Sequence, residues 1–130
     1  MNDILCPISL GELIDKITIL EIKLEMIEDT EKRSWIRKEH SRLEEIYQAL
    51  NITNERVRVC QQELKMINRV LWQVEDYKRA CEQRQDFGES FITASRTVYF
   101  QNDNRARIKQ QINEISGSTL REIKNHQSLG

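Results

Sequence analysis

Proline occurs once and glycine four times in this chain of 130 residues, so almost nothing in it interrupts a helix. No apolar run approaches the ~20 residues that a membrane-spanning helix needs, and no basic segment followed by an apolar stretch opens the chain as a secretory leader would. The cysteines, Cys6, Cys60 and Cys81, are odd in number and form no C-x-x-C pair, which argues against a disulfide framework and for a cytoplasmic setting. The formal net charge is −1, so no excess of one sign points to nucleic acid or to an anionic membrane as a partner. Histidine is scarce as well. Neither His40 nor His126 has a Glu three residues before it, which removes the bundle di-iron pattern, and two isolated histidines with scattered cysteines do not build a zinc site. There is no glycine-rich phosphate loop and no Ser-His-Asp set. The order of Glu12-x-x-Asp15 and Glu25-x-x-Glu28 is the reverse of that in the helical pyrophosphohydrolases. No cofactor and no metal is expected.

What remains is a helical composition, 32% charged and dominated by Leu, Ile, Glu, Lys, Arg and Gln, of a length that suits one domain over residues 1–130. Charge is unevenly spread. The first part of the chain is net acidic and the last part net basic, so the two ends are suited to attract each other. The longest uninterrupted pattern runs from Val57 to Cys81, where Val57, Cys60, Leu64, Ile67, Leu71 and Val74 step by three and four and keep one stripe of a helix against a partner. Cys60 and Cys81 belong to that stripe and read as small buried hydrophobes. This stretch is taken as the central helix.

In chain order, residues 1–8 form an extended lead-in, and Ser9 with Glu12 matches a capping box whose staple would be Ile8 with Leu13. Helices are expected over 9–29, 31–51, 53–84 and 89–116, followed by a polar tail at 118–130. Gly88 is suited to a left-handed turn closing the third helix, and Gly117 stops the fourth. The fold class is therefore all-α: a four-helix antiparallel bundle or long helical hairpins. The first helix has one broad apolar face and a smaller one formed by Ile19, Ile22 and Met26. A two-sided helix in so short a chain points to a homo-oligomer through those three residues.

Polar groups at seam positions are either satisfied by one another or kept for a ligand. Asn68, Trp72, Glu75, Asp76 and Arg79 lie beside the stripe of the third helix, and Gln101, Asn102, Asp103, Arg105, Lys109 and Asn113 interrupt the fourth. In a hairpin turning at Phe87-Gly88 these sets are expected to face each other. One outcome is an internal network that sets register, Arg105 with Glu75 or Asp76 and Asp103 with Arg79. The other is a pocket where Arg79, Arg105 and Lys109 meet an anion, Trp72 stacks on a ring and the carboxylates take hydroxyls or amines. A nucleotide or nucleotide sugar has that chemistry. No residue set names a reaction, and an interaction module without a small ligand is the competing role.

Gly11-Glu-Leu-Ile-Asp-Lys-Ile-Thr-Ile-Leu-Glu-Ile-Lys23, Asn68-x-x-Leu-Trp-x-Val-Glu-Asp76, Phe91-Ile92, Arg96-x-Val-Tyr99, Asn102-Asp-x-Arg-Ala-x-Ile-Lys109, Ile112-Asn113 and Gly117-Ser118 resemble a family of small bacterial and phage proteins classed only as a domain of unknown function. The resemblance implies a candidate site of Glu12, Asp15, Lys16, Asn68, Trp72, Glu75, Asp76, Arg96, Asn102, Asp103, Arg105, Lys109 and Asn113, and a setting near glycan biosynthesis. The chain departs from the family pattern at Gly88 and along Ile123-Lys-Asn-His126. A fainter likeness to the all-helical chorismate mutases rests on Leu13-Ile-Asp-Lys-Ile, without the arginine and glutamine positions such an active site needs.

Overall fold

In a computed structural model, residues 2–124, 126 and 127 are described. Position 1 of the lead-in and positions 125 and 128–130 of the tail lie outside them. The described residues form four helices and no strand: α1 (Leu10–Met26), α2 (Thr30–Ala49), α3 (Glu55–Arg84) and α4 (Glu89–Ser116).

Each end has a chemical cause. The Ser9 hydroxyl accepts from the Glu12 amide at 3.1 Å and starts α1. That helix stops earlier than the apolar rhythm suggests. Arg33, reaching back from α2, donates to the carbonyls of Leu24 and Ile27, and Asp29 has already turned away to cap α2 through the Lys32 amide at 2.9 Å. Asn54 caps α3 in the same manner. The left-handed residue that closes α3 is Gln85, at φ 55°, and not Gly88, which has an extended backbone and serves as the N-cap position of α4. Gly117 does take the left-handed form, at φ 70°, and lets the Ser118 amide return to the Asn113 carbonyl at 2.9 Å.

The helix at the centre is α1, not α3. It packs against each of the other three, whereas α2 lies along α1 alone and α3 and α4 pair as a long hairpin. The broad apolar face of α1 is thereby covered, and so is the middle of the smaller one: Ile14 and Ile17 are fully buried, and so is Ile22 at 1% exposure, with Val57, Leu64 and Ile112 supplied by the hairpin. The two-sidedness read above as a sign of oligomerisation is, for Ile22, the mark of a helix enclosed by its own chain. Met26 at the end of that face stays 42% exposed. No described helix is long and apolar enough to cross a membrane.

Candidate polar centre and groove between α1, α3 and α4

The N-terminal turn of α1 lies hard against the last turns of α4, and glycine allows it. A Cβ on Gly11 would stand 2.5 Å from the Lys109 carbonyl oxygen and 2.7 Å from Asn113 Oδ1. The Gly11 amide instead donates to Asn113 Oδ1 at 2.8 Å, so a buried asparagine side chain takes up one of the free donors at the helix start. This approach fixes where the next turns of α1 meet α4.

One turn further along α1, Asp15 is 1% exposed inside an otherwise apolar run. Burying a carboxylate is costly unless it is paired and hydrogen-bonded, and here two helices supply the partners. From α4, Arg105 donates through Nε at 3.0 Å to one oxygen and through a terminal nitrogen to the other, a bidentate clamp. From α3, Asn68 Nδ2 donates to Asp15 Oδ1 at 2.8 Å and to Thr18 Oγ1 at 2.9 Å, while the Thr18 hydroxyl donates to the Asp15 carbonyl. Lys109, one turn beyond Arg105, sits 3.9 Å from Asp15 and donates to Glu12 at 2.7 Å. The Glu12 carboxylate, expected to close a capping box, is thus turned to Lys109.

The chain after α4 completes the cluster. Glu122 receives a hydrogen bond from Lys109 at 3.2 Å, its own amide donates to Gln110 Oε1 at 2.8 Å, and Lys124 pairs with Asp103. The Asp15 hydrogen bond is the largest influence on the Arg105 pKa and raises it. For Lys109 burial is the largest single influence and pulls the pKa down. The hydrogen bond to Glu12 and the charges of Asp15 and Glu122 together outweigh it, so the ammonium holds its proton above the usual lysine value.

Beside this cluster opens a groove of about 450 Å³. Ile19, Ile22 and Leu71 form its apolar part, Trp72 stands half-buried along it, and Glu75, Asp76 and Arg79 line its α3 side. Asn68 and Arg105 contribute where the groove meets the buried cluster. Its charged groups are two carboxylates and two guanidiniums, one of the latter already held by Asp15. Arg79 and Glu75 approach only to 3.9 Å and remain largely exposed.

The expected site residues thus fall into several places. Glu12, Asp15, Asn68, Arg105 and Lys109 converge in the buried cluster, with Asn113 behind it on Gly11. Trp72, Glu75 and Asp76 line the groove. Lys16 points to the other side of α1, where it pairs weakly with Glu12 and borders a second groove against α2. Arg96 is exposed and Asn102 half-buried, and neither lines the groove; Asp103 is engaged with Lys124. The pairings read from the sequence are therefore replaced: Arg105 meets Asp15, and Arg79 lies near Glu75. The polar layer is a three-helix junction answered from α1, not a seam between α3 and α4 alone. Thr18 and Glu122 escaped the sequence reading. A threonine three residues after an aspartate inside an apolar run was the available signal for the first, whereas a polar tail gave none for the second.

Comparison with known proteins gives a match to one family model, described as a family of unknown function (DUF6165), over residues 4–128. No curated protein and no solved structure matches the chain.

Proposed function

Since the chain belongs to the DUF6165 family of unknown function, its chemistry has to be argued from its site, and we propose that the groove between α1 and α3 binds a ring-bearing, polyhydroxylated metabolite with an anionic group, of the nucleotide-sugar class. The observation that carries this reading is the composition of the groove. An indole beside an apolar floor suits a flat or CH-rich ring face, and the Glu75 and Asp76 carboxylates are acceptors for hydroxyls. Arg79 and the outward edge of Arg105 are the donors for the anion. Lys109 is not among them, because Glu12, Asp15 and Glu122 already surround its ammonium. In this reading the buried cluster is the support: Asp15 locks the Arg105 guanidinium in one orientation, which lowers the ordering cost of binding.

Only two tryptophans are present, so a Trp35→Phe protein leaves Trp72 as the sole indole reporter. Titration with nucleotide sugars, with the free nucleotide and the free sugar as separate arms, is expected to change Trp72 emission saturably. Asp76→Asn and Arg79→Ala, both at exposed positions, are expected to weaken binding by about tenfold each. Unchanged emission with every compound in all three arms defeats the proposal.

A further inference from the structure

Of the four helices, α2 alone contains no buried residue, and only α1 packs against it. Its half-buried positions, among them Ile36, His40, Leu43 and Tyr47, account for that single contact. On the flank of α2 that turns toward the lead-in, Trp35 is 66% exposed, Ile46 44% and Leu50 50%. Together with Ile4 and Leu5 of the lead-in, and with Leu10 and Leu13 of α1 as the other wall, they border a largely apolar groove of about 970 Å³.

The order of residues on that flank identifies what fits it. Trp35, Glu39, Arg42 and Ile46 fall on one stripe of the helix, spaced four, three and four, a pattern that reads the same from either end. Along it the chemistry runs apolar, acidic, basic, apolar. Two such helices laid antiparallel about a two-fold axis place Trp35 against Ile46 of the second copy, and Glu39 against its Arg42, with the same contacts repeated in the other direction. On one flank Lys38 meets Glu45 of the second copy, again reciprocally. A parallel arrangement would set Glu39 against Glu39 and Arg42 against Arg42. Self-complementarity under a two-fold is what an isologous interface requires, and the charge order supplies it in one orientation only.

We propose that this exposed flank of α2, bordered by the lead-in, is the docking surface for a second copy of this chain, with the two α2 helices paired antiparallel. The helix is 20 residues long and gives a contact line of about 30 Å, flanked by Ile4 and Leu5, which the second copy covers. Arg42 now pairs with Asp3 at 3.1 Å, but both side chains are more than half exposed, so Arg42 exchanges this partner for Glu39 of the second copy at little cost.

Sedimentation velocity on the full chain over a wide concentration range tests the pairing, with circular dichroism to verify that each variant is folded. The wild type is expected to dimerise. Arg42→Glu sets Glu39 against a second carboxylate, Glu39→Arg sets Arg42 against a second guanidinium, and each is expected to weaken the dimer by about tenfold or more. The double variant E39R/R42E is expected to dimerise again. An equimolar mixture of the two single variants is expected to form a heterodimer, since every facing pair is then of opposite sign. A wild type that stays monomeric throughout overturns the proposal, as does a dimer indifferent to both single variants or one that neither the double variant nor the mixture restores.

Discussion

Asp15 and Arg105 form the most consequential pair in the molecule, because the carboxylate has no access to water once α4 is in place. Removing one member of such a pair leaves a buried charge with too few partners, so Arg105→Ala is expected to lower the urea-unfolding free energy by about 3–5 kcal/mol. Replacing both members with apolar residues of similar volume, Asp15→Leu with Arg105→Met, removes the desolvation cost together with the attraction and is expected to recover most of that loss. Little of this pair was legible in the sequence. The Arg105 interruption of the α4 stripe announced that something polar must meet it, but the helix periodicity that exposes such a break carries no information about which helix lies opposite. Glu75 and Asp76 were the nearer candidates on the assumed hairpin, and Asp15 was singled out only through the family resemblance.

At the scale of the helices, composition and capping chemistry carry most of the fold. The Ser9 hydroxyl on the Glu12 amide was readable directly, and Ser9→Ala is expected to cost about 1 kcal/mol in thermal or urea unfolding, because the Glu12 amide at the helix start loses its acceptor. Residues that act across elements were harder to see. Arg33 ends α1 from a different helix, and Gln85 takes the left-handed turn although a glycine stands three residues later. The rank of the helices was misread for a physical reason: an unbroken seam on α3 is the louder periodic signal, but a helix buried on two sides has weaker amphipathicity because both of its faces are apolar. Ile22 was therefore assigned to a contact with another subunit, when its own chain buries it, while Met26 on the same face stays exposed.

For the whole molecule, the ionic cluster links stability to pH at the alkaline end. Lys109 binds its proton more tightly when folded than when unfolded, so its contribution is fully present below the ordinary value of 10.5 and disappears as pH rises through the higher folded value. Lys109→Met is expected to be less stable at neutral pH yet to lose less further stability between about pH 10 and about pH 12, as measured by urea unfolding across that range. The same cluster joins the acidic start of the chain to its basic end, an attraction visible in the charge distribution, though not the residues that realise it. It also sets a schedule for biosynthesis. Asp15 finds its asparagine 53 residues later and its arginine 90 residues later, so on a ribosome α1 emerges before either of the helices that answer it. Until translation has delivered α4, the nascent α1 carries the Asp15 carboxylate in its greasiest stretch without the guanidinium that clamps it, so this junction closes only after α4 has been made.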